Sequence, residues 1–413
     1  MEPTVSCHFD CPHFRQDRCR SCRRIETPYA QQLATKQAEL QGVLANLAPA
    51  VWLPPCPGTV RAFRNKAKMV VLGAAHAPVL GIVSPAGQAV DLTDCPLYPP
   101  DMQALLAALP DWIRQAGVPP YRIDRAKGEL KFILLTRSQW CGEFLLRFVL
   151  RSTTALPRIR SALPALLAAF PAIQAVSANI QPLHKAVLEG EQEIFLSDRQ
   201  AIEERLNGIP LFIRPKSFFQ TNPQVAEQLY RQARDWGRES QPRQVWDLFC
   251  GVGAFGLHLA GPDIGLTGIE IEPEAIACAQ ESARRLGLAK VHFAALDAAG
   301  FAGLNAPAPD LLVVNPPRRG LGAELCRQLD ALHPPVMLYS SCNPHTLAQD
   351  LACLPAYRVV RAQLFDMFPH TAHSEVLVQL EATKTGKVRI TGNSQAADEA
   401  TGKYLSRYPL QDQ

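Results

Sequence analysis

The 413-residue chain has little net charge and no long apolar run. Lys+Arg number 42 and Asp+Glu 38, giving +4, so any contact with nucleic acid must be a local patch rather than a global field. The longest apolar stretch, ALPALLAAFPAI, is short and broken by prolines, which excludes a membrane-spanning helix there. The start, MEPTVSCHFDCP, lacks the basic-then-apolar pattern of a leader. No internal repeat is visible. These absences leave a globular chain, expected to be soluble and cytoplasmic, with length enough for two domains.

Cysteine, by contrast, is plentiful: 12 in all, with Cys7, Cys11, Cys19 and Cys22 inside the first 22 residues, where an even spread would put fewer than one. In a reducing compartment a local cluster points to a metal site before it points to disulfides.

Beyond the cluster, PYAQQLATKQAELQGVLANL places Leu33, Leu40, Leu44 and Leu47 at helical spacing. This predicts a helix over about 28–47, able to pack on a later domain, and LPPCPG ends it. From about 60 to 205, short apolar runs such as KAKMVVL, VLGIV, ELKFILLTR and EFLLRFVLR predict strands, with helical runs between them. No parallel rhythm is evident, so residues 1–205 are expected to hold an antiparallel α+β central domain behind the cysteine segment.

The pattern changes near residue 215. Asn222 and Pro223 form an N-cap and first-turn pair. Strand and helix then alternate through QVWDLF, GAFGLHLA, GLTGIEI, EAIACAQESARRLG, KVHFAALD, DLLVVN, GAELCRQLDAL and VMLYSS. That rhythm predicts a Rossmann-like, doubly wound α/β domain over 206–381. Residues 382–413 are polar and aperiodic and are expected to form a mobile tail.

In VWDLFCGVGAFGLHLA, Gly251, Gly253 and Gly256 have the G-x-G-x-x-G spacing between a strand and a helix, and Glu270 ends the next strand, placed to accept from ribose hydroxyls. Both NAD and S-adenosylmethionine fit this much. DLLVVNPPRRG favours the second. Two prolines keep Asn315 out of the helical region and hold its amide at the carboxyl edge of the sheet, where it can grip a base edge.

Cys342, in YSSCNPHT, ends the following strand at the same edge, and Glu375, in LFDMFPHTAHSEVLVQL, enters the last one. The group suits one reaction. C5 of uracil is a poor nucleophile until a thiolate adds to C6; it then attacks a sulfonium methyl, and a carboxylate removes the C5 proton before the thiol leaves. Arg318 and Arg319 are expected to favour the thiolate. A methyltransferase acting on an exocyclic amine also uses N-P-P, but an aromatic commonly follows, and no cysteine is needed. A non-catalytic RNA-binding iron–sulfur protein is a further alternative, and it leaves the sheet-edge residues without a purpose.

FFQTNP, DLFCGVGAFG, NPPRRG, YSSCNPHT and FDMFPHTAHSE together resemble the RNA 5-methyluridine methyltransferases, over nearly the whole chain to about residue 381. FRNKAKMVV, DCPLYP and the compact cysteine cluster look most like members acting on 23S ribosomal RNA. The resemblance implies Cys342 as nucleophile and Glu375 as base. It implies Gln220, Phe249, Glu270 and Asn315 around S-adenosylmethionine, with Asn315 also near the uracil edge. Some members carry aspartate at the Asn315 position, and either residue can accept from uracil N3–H. Asp297 is a looser candidate for the adenine.

The resemblance further implies a [4Fe–4S] cluster on Cys11, Cys19, Cys22 and Cys95. The quartet Cys7, Cys11, Cys19 and Cys22 stays open, and so does zinc. In either case the metal's role is expected to be structural. The expected partner is 23S rRNA, presenting a flipped uridine from a loop to a monomeric enzyme. Arg64, Lys66 and Lys68 on one strand face, and Arg122, Arg125 and Lys127 beyond, are expected to hold phosphates.

Overall fold

A computed structural model describes residues 9–47, 49–84, 86–185, 187–297 and 307–383. Cys7 and the expected tail from residue 384 onward lie outside the described residues. The chain opens with the single turn α1 (Pro12–Arg15), the long α2 (Tyr29–Val43) and the short strand β1 (Val51–Trp52).

A seven-stranded sheet follows. Its strands are β2 (Lys66–Ala74), β3 (Ala77–Val83), β4 (Ala89–Asp91), β5 (Leu130–Arg137), β6 (Phe144–Leu150), β7 (Ile173–Ile180) and β8 (Gln192–Phe195). They run in the order β4-β3-β2-β5-β6-β7-β8. Two helices, α3 (Pro100–Gln115) and α4 (Leu156–Ala169), cover one face, where Met69, Val71, Ile133, Leu146, Phe148 and Val176 alternate inward against Leu105, Leu109, Ile159 and Leu163.

The expected all-antiparallel pairing is corrected at one place: β6 and β7 are parallel. A parallel pair needs a crossover, and α4 supplies it even though Pro164 lies inside that helix.

A hairpin of β9 (Ile202–Leu206) and β10 (Ile209–Ile213) leads to the second unit. Its helices are α5 (Pro223–Glu239), α6 (Ala254–Leu259), α7 (Pro273–Arg285), α8 (Ala323–Leu332) and α9 (Pro344–Ala352). Its strands are β11 (Gln244–Leu248), β12 (Gly265–Glu270), β13 (Val291–Ala295), β14 (Leu311–Val314), β15 (Val336–Ser341), β16 (Tyr357–Phe365) and β17 (Glu375–Ala382). With β1 they form one eight-stranded sheet in the order β1-β16-β17-β15-β14-β11-β12-β13. Strands β13 to β15 and β11, β12 run parallel, and β17 is antiparallel to both its neighbours. The strand order reverses between β12–β11 and β14, which opens a crevice at the carboxyl edge there.

Two N-terminal pieces belong to this second sheet. β1 pairs with β16. Leu40 and Leu44 of α2 are buried with Trp246, Leu248, Val314 and Tyr339. The hairpin likewise packs Ile202, Leu206 and Leu211 into the other face, in a core that also takes Leu145 and Ala175 from the first sheet. Among the described residues no helix is long and apolar enough to cross a membrane.

Candidate active site

The loop after β11 carries the glycines. Gly251 (φ +53°) and Gly253 (φ +80°) both occupy the left-handed region, and Phe249 does so without being glycine (φ +60°). The loop is braced from two sides. Glu270, at the end of β12, accepts from the backbone N–H of Gly251 (3.1 Å), Ile271 (2.8 Å) and Glu272 (3.1 Å). Asp247, fully buried inside β11, accepts from Gly256 N–H (2.8 Å).

The other oxygen of Asp247 is buried with no hydrogen-bond partner. Burial, and then the charge of Glu270, push its carboxyl up to about 7, against a lowering by the Gly256 bond. Sequence reading did not select Asp247. An acid placed in the apolar run VWDLF directly before a glycine loop was the available signal. Asp297 follows β13 and is exposed.

The thiol, the amide and the carboxylate do meet. Cys342 stands between the end of β15 and α9, whose N-cap Asn343 accepts from His345 N–H. Asn343 and Thr346 both donate to the Arg318 carbonyl (3.0 and 3.1 Å), which fastens the NPPRRG loop beside Cys342. Asp350 holds the same loop from below, accepting from Leu321 N–H (2.7 Å), Gly322 N–H (3.2 Å) and Tyr339 OH (2.7 Å).

Asn315 donates to the Ser340 carbonyl (3.0 Å) and to Glu375 Oε1 (3.3 Å). Ser340 Oγ donates to the same Glu375 oxygen. Gln220 and Tyr230 complete the group: the buried Tyr230 phenol is hydrogen-bonded to Gln220 and feels the charges of Glu375 and Asp247. Tyr230 was also missed from the sequence, because on α5 it reads as one more core position.

Burial governs the chemistry of this group. Glu375 is 2% exposed, and burial lifts its carboxyl from its ordinary 4.5 to about 7 although Ser340 and Asn315 pull it down. The Cys342 thiol is also pushed up, first by burial and then by Glu375. Arg318 lowers it, through its charge and a hydrogen bond, without reversing the shift. Arg318 thus favours the thiolate as expected, and burial outweighs it.

The four thiols of the expected cluster also approach one another. Cys11, Cys19 and Cys22 come from the N-terminal segment, and Cys95 from the loop after β4. His13 Nε2 and Asp94 Oδ1 (2.7 Å) tie the two pieces together. Burial pushes Cys22 up to about 12, with Cys95, Cys19 and Cys11 adding to it. Cys95 rises to about 11, chiefly by burial. Among the described residues no group of three or more His, Cys, Asp or Glu is spaced to hold a metal ion, and Cys7 of the alternative quartet lies outside them.

Of the basic residues, Lys66 and Lys68 share a face of β2, while Arg64 precedes the strand and donates to the Lys66 carbonyl (3.1 Å). Burial and then Lys68 bring the half-buried Lys66 down to about 8. Arg122 and Arg125 instead pair with Asp124 between them (2.7 and 3.6 Å).

The family model for tRNA (Uracil-5-)-methyltransferase matches residues 192–383. The chain is 60% identical over 373 residues to 23S rRNA (uracil(747)-C(5))-methyltransferase RlmC of Shewanella loihica, covering 90% of this chain and 98% of that one. It is 62% identical over 376 residues to the protein of the same name from Shewanella baltica, covering 90% and 96%. Among solved structures it is similar to the Pyrococcus abyssi tRNA (uracil-54, C5)-methyltransferase in complex with S-adenosyl-L-homocysteine. That match has a TM-score of 0.75 at 25% identity, covering 88% of this chain and 84% of that chain.

Proposed function

The chain belongs to the RNA (uracil-5-)-methyltransferase family, and from that premise we propose that it methylates C5 of a uridine in 23S ribosomal RNA through a covalent cysteine adduct. It is an S-adenosylmethionine-dependent methyltransferase. The observation that carries the mechanism is the convergence of Cys342, Asn315 and Glu375 at one sheet edge, beside the glycine loop.

S-adenosylmethionine supplies an electrophilic methyl group on a sulfonium. Glu270 and the glycine loop suit its ribose end, and Gln220, Phe249 and Asn315 suit the remainder, with the unpartnered Asp247 oxygen beneath the loop as a further polar contact. Asn315 has both donors committed to Ser340 and Glu375, so its carbonyl oxygen is the atom that accepts from uracil N3–H. Cys342, as the thiolate with its proton lost to solvent, bonds through Sγ to C6; the ring electrons move to C5, which takes the methyl group as the methyl–sulfur bond breaks and S-adenosylhomocysteine leaves. Glu375 then accepts the C5 proton, and the electrons of that C–H bond re-form the ring double bond and expel the thiolate. A carboxyl near 7 suits this work, because at neutral pH a substantial share is ionised and the carboxylate is more basic than an ordinary one. The uridine must be flipped or unpaired to reach a buried edge.

Lys66 and Lys68, side by side on one face of β2, are the phosphate contacts of this reading. For the N-terminal segment, four mutually interacting thiols fit an iron–sulfur cluster in kind. Thiolate ligation removes the protons that burial otherwise retains. Iron and acid-labile sulfide in anaerobically purified protein, against stoichiometric zinc, distinguish the two metals.

The test of function is direct. Unmodified 23S rRNA and methyl-labelled S-adenosylmethionine are incubated with the protein, and the RNA is digested to nucleosides. Label is expected in 5-methyluridine and absent with Cys342→Ala. Label in a methylated adenosine or cytidine overturns the reading.

A further inference from the structure

The loop that leads into Glu375 is held by a helix more than 300 residues away in sequence. We propose that Lys36, with Tyr29 and Gln32 on the same face of α2, is a positioning residue that fixes the 366–373 loop and so aims Glu375 at the C5 proton. This rests on the reading of Glu375 as the base.

Lys36 has three ammonium donors, and each finds an acceptor in that one loop: Asp366 Oδ1 (2.6 Å), the Phe368 carbonyl (2.9 Å) and the His373 carbonyl (2.8 Å). The pair is sealed, with Lys36 1% and Asp366 0% exposed at the side chain. Tyr29 OH donates to the other Asp366 oxygen (2.8 Å) and accepts from Gly58 N–H (2.7 Å). Gln32 Oε1 accepts from His370 N–H (2.9 Å), while its amide reaches the Thr27 carbonyl (2.8 Å) and lies 3.3 Å from His370 Nδ1.

His370 is in the left-handed region (φ +67°) and buried, a conformation that needs such outside support. Its carbonyl accepts from Arg24 N–H (2.9 Å), and its Nε2 lies 2.9 Å from the Val60 carbonyl. Asn222 Nδ2, from the N-cap of α5, donates to the Met367 carbonyl (3.3 Å). The carbonyls of 367, 368, 370 and 373 are thus all held from outside the loop. The last lies two residues before Glu375.

A buried ion pair is a poor way to gain stability, since well-packed apolar residues do as well or better. A three-pronged ammonium does supply directional constraint on a loop that lacks regular structure. A carboxylate misplaced by a fraction of an ångström transfers a proton poorly, and the preceding steps at Cys342 need not change.

Lys36→Met and Gln32→Ala test this beside Glu375→Gln, with RNA carrying tritium at uridine C5. Three quantities are read: tritium release, the fraction of protein in a methyl-labelled covalent RNA adduct, and S-adenosylmethionine affinity by calorimetry. The expected result for Lys36→Met is release slowed about tenfold or more, adduct accumulation, and an affinity within about twofold of wild type. Wild-type release without adduct overturns the proposal. Should Lys36→Met fail to bind the methyl donor, Gln32→Ala decides. It leaves the ion pair in place, and adduct accumulation supports the proposal while wild-type behaviour overturns it. Glu375→Gln turning over normally would remove the base reading itself. Glu375→Gln stalled on the adduct, with both α2 variants normal, removes the positioning role alone.

Discussion

Replacing Glu375 by glutamine should stabilise the methyl-donor-free protein at pH 8 while abolishing turnover. The folded carboxyl titrates near 7 and the unfolded one near 4.5. Between those values the folded chain binds the extra proton, so stability falls as pH rises through that window, and the full penalty is present above about 7. At 1.36 kcal/mol per pH unit the gap is worth about 3 kcal/mol. Glutamine stays neutral and can still accept from Ser340 and Asn315, so it escapes the penalty.

Asp247 titrates in the same range, but it is present in both proteins and cancels from the difference. Calorimetric Tm values at pH 5 and pH 8 measure the effect. The advantage of Glu375→Gln should be small at pH 5 and reach about 3 °C at pH 8. An advantage equal at both values would refute the claim that burial of a charge, rather than packing, sets the state of Glu375.

The other perturbations separate the parts of the site. Cys342→Ala should bind S-adenosylmethionine normally and form no covalent complex with 5-fluorouridine RNA, read on a denaturing gel. Gly320→Ala should cost about 1–3 kcal/mol, because φ is +78° and a Cβ there would lie 2.4 Å from Asp350 Oδ2; denaturant unfolding and turnover both report it. Lys66→Ala with Lys68→Ala should reduce the salt slope of RNA binding by about 1.5 to 2, with little change in methyl-donor affinity. On the proposed iron–sulfur reading, Cys22→Ser should lower iron content and Tm together, because it removes one of the four thiols that meet there.

The second unit was legible because central strands such as β14 and β15 are short buried runs and its helices are amphipathic, so element type followed from pattern. The placement of Glu270, Asn315, Cys342 and Glu375 at one edge was legible because each lies at or just beyond a strand end, and the sheet brings such ends together. The parallel pairing of β6 with β7 was not, because FLLRFVL and IQAVSANI state no direction and Pro157 and Pro164 obscure the crossover helix. β1 was invisible, since two residues carry no period. At Cys342 the help of Arg318 was legible because it is written in the sequence, and the opposing desolvation was not.

α2 shows the same limit most clearly. Its leucines gave the helix, yet the face it buries toward the active site also holds Gln32 and Lys36, residue types that sequence reasoning assigns to solvent. They can be inside only because the 366–373 loop offers acceptors that no helix or strand uses. That loop in turn has irregular backbone because it must deliver Glu375 to a point facing Asn315 and Cys342, past His370 in a left-handed turn. Each side explains the other's departure from pattern: a polar helix face satisfies a loop, and the loop accepts strain in order to place a carboxylate. Apolar periodicity cannot register such a pairing, because the information lies in two segments with no shared local signal and more than 300 residues between them.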